Sequence, residues 1–315
     1  MFDRARVVCL DTVMIDFTLI VTALPESGGD SLSSQRLVTA GGGYNVMSAA
    51  RRQGIDAVYV GQLGTGPFAD IARGILVGDD IDIAVEPRGG MDLGVCVVLV
   101  DDSGERSFVT SPGAELTLRG DDLLSLTLAA DDVVYLSGYN VVYPEVAATV
   151  SEWLRDVPAD VVVAFDPGPR AADIRPSIMA LVLERTDWLL CNASEAHLLS
   201  GEVDAGSGAR QLRERGSYDL VVVRDGARGC VSASGEGVIV APGFDSHVVD
   251  TNGAGDVHNG VVIAELSRGT VLGEALLRAN AAAALAIETL GPATCPIRDV
   301  VDALLLEQPR AVTRL

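Results

Sequence analysis

Short β-branched runs recur along this chain with helical patterns between them, and that alternation limits the fold more than any other feature. RVVCL (6–10), AVYVG (57–61), DVVYLSG (132–138), DVVVAFD (160–166), DWLLCN (187–192) and DLVVVRDG (219–226) are the runs; segments 45–53, 143–155 and 206–215 are amphipathic. Strands this short, alternating with helices, build βαβ units whose parallel sheet is covered on both faces. The expected fold is a doubly wound α/β sheet, one domain across residues 1–315. Two stretches break the alternation. Residues 93–110 read as two strands joined at 101–104, and 18–37 are strand and turn in character. A small β appendage from about 16–37 and 90–112 is predicted, suited to a lid or a subunit contact. A further strand, FDSHVV, is expected before residue 250, and the stretch after Pro309 is expected to fray.

Composition removes several functions. A formal net charge of -21 opposes binding to a nucleic-acid backbone, which rewards positive footprints. It also opposes an anionic small substrate unless arginines, backbone amides or a metal ion overcome it locally. All 23 basic residues are arginine, so neither a P-loop lysine nor Schiff-base chemistry is available. The five cysteines (9, 96, 191, 230, 295) are dispersed, without a CxxC, and predict buried thiols rather than a zinc site or disulfides. No apolar run approaches the roughly 20 residues that span a bilayer. MFDRAR (1–6) leads into a strand rather than a signal core, so a soluble, cytoplasmic protein without a membrane partner is expected.

Four motifs hold candidate chemistry. In DTNGAGD (250–256), Gly253, Ala254 and Gly255 stand between two aspartates at the start of an apolar helical run. Glycine costs about 1 kcal/mol relative to alanine inside a helix, so helix formation did not select these residues. A small-residue turn there exposes backbone N–H groups at the positive end of the helix dipole, an anion hole suited to phosphate. Asp256 beside it can accept a hydroxyl proton; it can equally be a helix cap. In AGGGYN (40–45), Gly41 and Gly42 allow close approach of a ligand, and Asn45 offers a donor and an acceptor. The contiguous glycines fit a dinucleotide fingerprint poorly. In CNASEA, Asn192 and Glu195 are able to hold a hydrated magnesium ion or to cap a helix reciprocally. In RDGARG, Arg224, Gly226 and Gly229 follow a strand, where a nucleotide or a plain tight turn would explain them. Arg170 of FDPGPR ends another strand and is able to face phosphate; of Asp11 and Asp16, one suits hydroxyl binding and the other local hydrogen bonding.

These motifs in this order resemble the ribokinase-like, or pfkB, carbohydrate kinase family from about residue 7 to residue 296, most specifically through DTNGAGD and GGGYN. The resemblance implies ATP-dependent phosphorylation of a hydroxymethyl group on a small sugar or sugar acid, with a nucleoside kinase of the same fold, or a non-catalytic sugar-binding sensor, as the alternatives. It assigns the catalytic base to Asp256 and the anion hole to the amides of Gly253, Ala254 and Gly255. It places Asp16, Gly41, Gly42 and Asn45 at the sugar, and Asn192, Arg224, Gly226, Gly229 and Asn280 around the nucleotide. Asn192 and Glu195 would organise Mg2+ through water, Asp250 and Thr251 would hold a monovalent cation such as K+, and the lid would pair subunits into a homodimer. The chain departs from the family at Met47, Gly66, His258 and Val261, which puts the identity of the substrate in question.

Overall fold

The computed structural model describes residues 5–103 and 105–315. Residues 1–4 of the expected N-terminal lead and Gly104 of the expected 101–104 turn lie outside them. In chain order the strands are β1 (Arg6–Cys9), β2 (Val13–Ile20), β3 (Gln35–Gly42), β4 (Asp56–Tyr59) and β5 (Asp82–Ile83). There follow β6 (Val95–Val100), β7 (Arg106–Ser111), β8 (Val133–Ser137), β9 (Val162–Asp166) and β10 (Trp188–Asn192). The last are β11 (Leu220–Arg224), β12 (Cys230–Ser234), β13 (Gly237–Ala241) and β14 (Thr313–Arg314).

Ten strands form one sheet in the order β14-β13-β12-β11-β10-β9-β8-β1-β4-β5. The pairs from β11 through β5 are parallel, and the three pairs beyond β11 are antiparallel. The parallel strands are buried on both faces, as their unbroken apolar runs require: β1 and β8 show no exposed residue, and Val7, Val8, Cys9, Val134 and Leu136 are at or near 0% exposure. Apolar residues therefore pack in two layers, one on each side of the sheet. All five cysteines are buried and free.

The segments that break the alternation make a separate sheet, ordered β3-β2-β6-β7. Its pattern differs. Val13, Ile15 and Ala40 of this sheet join the main core; Cys96, Val98 and Val100, backed by Met14 and Ile20, form a small buried cluster of their own, and Phe108 and Val109 of β7 are 58% and 64% exposed. The two are consecutive in β7 and stand on opposite faces of the sheet, so apolar side chains are exposed on both.

Two expectations are corrected. FDSHVV is not a strand: β13 stops at Ala241, because Pro242 cannot extend a ladder and Gly243 lies so near Ala227 that an added Cβ would come within 2.4 Å of its carbonyl oxygen. Nor does the C-terminus fray. Thr313 and Arg314 pair with Val240 and Ile239, which covers the edge that β13 would otherwise present.

Among the described residues, no helix is long and apolar enough to cross a membrane.

Candidate active site

The site assembles where the small sheet meets the carboxyl ends of β1, β8, β9 and β11. Asp16 lies on β2 opposite Thr39 of β3. Gly41 is bare because Asp16 rests on it: an added Cβ would stand 2.3 Å from Oδ2. Gly42 has φ +66 and would clash with the Thr12 carbonyl oxygen at 2.2 Å, so both turn geometry and close approach demand glycine there. The chain then enters the helix Gly43–Arg52 without a side-chain cap.

That helix crosses the helix Ala254–Ser267 at very short range. Gly260 makes this possible, since a Cβ there would lie 2.5 Å from the Val46 carbonyl oxygen and 2.7 Å from Ala49. The crossing brings together two motifs 211 residues apart: Asn45 Nδ2 donates to Asp256 Oδ2 at 2.8 Å. Asn45 Oδ1 is buried and has no partner.

Asp256 sits in the first turn of its helix, whose N-cap, Gly253, is left-handed (φ +74) and makes no capping side-chain bond. Asp256 therefore does not cap this helix. Gly253 is packed against Pro292, with an added Cβ 2.2 Å from its carbonyl oxygen. Ala254 N reaches back to Thr251 O at 3.4 Å, and among the described residues nothing accepts from the N–H groups of Gly253, Gly255 and Asp256. Such a turn presents amide donors and the positive helix end together.

Behind the turn lies a charge network. Arg224, at the end of β11, donates to Asn259 Oδ1 and, at 3.0 Å, to Asp166 Oδ2; Glu195 Oε2 is 3.7 Å away. Asn259 Nδ2 also donates to Asp166 Oδ2 at 2.6 Å. Gly255 lies against the guanidinium, its notional Cβ at 3.5 Å. Arg224 thus sets a partly buried positive charge under the open amides, while Arg170 is half exposed and paired with Asp173, with its guanidinium over the Tyr143 ring.

The carboxylates crowd. Burial pushes Asp256 up to about 6, with Asp166 adding to the rise and Asn45 and Arg224 opposing it. Burial, then Asp256, pushes Asp16 up to about 7. Asp11, buried beyond β1, is raised to about 7 by burial and by Asp256 and Asp166, against a Ser137 hydrogen bond. Glu195 is raised to about 7 by burial and Asp166, with Arg224 opposing. A crevice of this sort favours groups that supply hydroxyls or cations to the carboxylates.

Asn192 and Glu195 meet in full reciprocity. Asn192 Oδ1 accepts from Glu195 N at 2.9 Å, Glu195 Oε2 from Asn192 N at 2.8 Å, and Glu195 Oε1 from Asn192 Nδ2 at 2.7 Å. The pair is a capping box by geometry. Among the described residues no cluster of three His, Cys, Asp or Glu ligands exists.

Several expected site residues are placed elsewhere or are otherwise engaged. Asn280 donates to Ala241 O and Pro242 O at 3.0 and 3.1 Å, and its Oδ1 faces His258 Nε2 at 3.1 Å. With both amide hydrogens spent on carbonyls, Asn280 must accept from His258, which fixes the proton on Nε2 and leaves Nδ1 an unpaired acceptor. Burial keeps His258 neutral, holding its pKa at about 3. Gly229 (φ +91) packs on the same loop, 2.2 Å from Ala241 O by its notional Cβ, so Gly229 and Asn280 both hold the exit of β13. Gly226 (φ +57) instead meets open space. Asp250 is buried and its carboxylate already pairs with Arg106 of β7, so the group offered to a monovalent cation is occupied; Thr251 is exposed. Of the four departures, Met47 and Val261 are fully buried in the core and His258 lies behind the turn; Gly66 abuts Asp92.

The sequence did not single out Asn259, whose place next to His258 in VHNG was its one signal, nor Gly260 or Arg106.

A family model of pfkB family carbohydrate kinases matches residues 4–299. The chain is 31% identical over 303 residues to an uncharacterized sugar kinase of Escherichia coli, YegV, covering 94% of this chain and 92% of that protein. It is 32% identical over 307 residues to an ATP-dependent ribose-1-phosphate kinase of Halopiger xanaduensis, covering 96% and 99%. Its fold matches the crystal structure of ribokinase from Thermotoga maritima with a TM-score of 0.78 at 25% identity, over 96% and 99% of the two chains.

Proposed function

The chain belongs to the pfkB family of carbohydrate kinases and is an ATP-dependent kinase, and from that premise we propose that it phosphorylates a hydroxymethyl group of a small sugar or sugar acid. The observation that supports this reading most is the Asn45–Asp256 contact beside an uncapped helix start. Asp256 takes the proton of the attacking hydroxyl, and Asn45 holds the carboxylate in line. The amides of Gly253, Ala254 and Gly255 receive the charge of the transferring phosphoryl group, with Arg224 behind them. Asp16, Gly41, Gly42 and the unpartnered Oδ1 of Asn45 bind the sugar hydroxyls. Gly226 admits the nucleotide, while Gly229 and Asn280 shape the loop beside it.

The oxygen groups fit a hydrated magnesium ion. Glu195 and Asp166 together exceed the single positive charge of Arg224, and Mg2+ retains waters while taking one or two carboxylates. Asn192 contributes by orienting Glu195, since its own oxygen is spent on the Glu195 amide. When bound, the ion would neutralise phosphate charge. The exposed Phe108 and Val109 of β7 favour a homodimer through the small sheet.

A second acceptor class has its own support. The similarity to a ribose-1-phosphate kinase, together with the half-exposed Arg170 beside Tyr143, favours a sugar that already bears an anionic group. An ATP-consumption screen with magnesium over sugars, sugar acids, sugar 1-phosphates and nucleosides tests both. The expected result is ADP release with one class that chelation abolishes. ATP left intact throughout the panel would overturn the proposed reaction; turnover of nucleosides alone would replace the acceptor.

A further inference from the structure

An arginine of the small sheet reaches the 250–256 turn. Arg106 opens β7, and its Nη2 donates to Oδ1 of Asp250, 144 residues away. Asp250 is 3% exposed, and backbone takes the rest of its carboxylate: Oδ1 also accepts from Asn252 N at 2.8 Å, and Oδ2 accepts from Gly291 N at 3.0 Å. One carboxylate thus joins three segments, namely the small sheet, the turn, and the 291–292 loop on which Gly253 is packed. These groups do not fit a monovalent cation at Asp250. Three donors already address the carboxylate, one of them a unit positive charge, and a second cation would lie against the guanidinium.

We propose that Arg106 is the built-in counterion of the anion-hole turn, serving in place of a monovalent cation and tying the small sheet's position to the turn's geometry. The proposal rests on the kinase reading only for its effect on turnover. A buried carboxylate left uncompensated would unsettle the turn and set a negative charge close to the amides that receive phosphate. A guanidinium tethered to β7 removes that charge without uptake of an ion from solution, and its planar fork holds direction as well as charge. The turn is then fully organised only when β7 is docked.

The test compares potassium chloride with choline chloride at equal ionic strength. Melting of the protein without ATP or acceptor comes first. The unaltered protein is expected to melt at the same temperature in both salts, and Arg106→Lys likewise. Arg106→Gln is expected to melt lower in choline and to recover in potassium. A marked potassium-induced rise in the unaltered protein overturns the proposal, as does an Arg106→Gln protein that gains no potassium response. If Arg106→Gln does not fold, the unaltered protein and Arg106→Lys decide. With an acceptor in hand, Arg106→Gln should lose roughly tenfold in turnover in choline and regain it in potassium. Because melting uses no substrate, its outcome stands apart from any failure to find a kinase substrate.

Discussion

At the start of the helix Ala193–Ser200, Asn192 and Glu195 satisfy each other's backbone groups through three hydrogen bonds. At the start of the helix Ala254–Ser267 no side chain caps, and the glycine there is left-handed. The two helices pack on opposite faces of the main sheet, and Arg224 stands between their starts, reaching toward Glu195 and lying against Gly255. The difference separates two uses of similar sequence. A closed start satisfies its own backbone and fixes the direction of its acid, whereas an open start keeps donors for an anion and leaves its acid to face a substrate.

The contrast can be broken by substitution, and the largest effect belongs to the open start. Asp256→Asn is expected to lower turnover by roughly 10² to 10⁴ while melting at or above the unaltered protein's temperature, because a buried negative charge is removed; steady-state kinetics with calorimetry would show both, and near-normal turnover would sink the assigned base. Arg224→Met should follow, destabilising by about 3–5 kcal/mol, since Asp166 and Glu195 would lose their shared cation. Denaturant titration measures this, and a small loss would mean that the network is not a unit.

At the closed start, Asn192→Ala should cost about 1 kcal/mol of stability, the worth of a typical N-cap. A turnover loss far beyond the stability loss would show that Asn192 serves the nucleotide directly. The pH dependence tests the crowding of acids around both starts. Asp11, Asp16 and Glu195 are raised to about 7 and Asp256 to about 6, whereas the same groups unfolded ionise near their ordinary values. Between pH 8 and pH 6 only the folded protein takes up these protons, so substrate-free melting should rise as pH falls through that window. Magnesium or substrate should flatten the rise, and a melting temperature that drops from pH 8 to pH 6 would contradict the crowding of these carboxylates.

The strand layer was legible because each buried strand is an unbroken β-branched run, and DTNGAGD because its glycines make no sense inside a helix. Whether Asp256 and Asn192 were caps was not legible. The two first turns look alike as residue strings, and only the left-handed Gly253 and the crossing at Gly260 decide which acid is free. Arg106 left no local trace, as its partner lies 144 residues on and its own strand reads as ordinary hairpin. Asn280 was placed at the nucleotide by the family resemblance alone; three protein partners consume its amide. FDSHVV failed as a strand because the backbone contact of Gly243 outweighs its apolar pattern.

Gly260 acts as a shim. Its missing methyl group sets how deeply two helices interlock, and through them how far an amide stands from an acid a full turn away. Since displacement of a reacting group by about 1 Å can change a rate 10²-fold, a position that touches neither substrate nor cofactor becomes a fine adjustment on the chemistry. Alanine there would act as a thicker shim, spreading the helices and slowing the reaction while leaving every side chain of the site in the sequence.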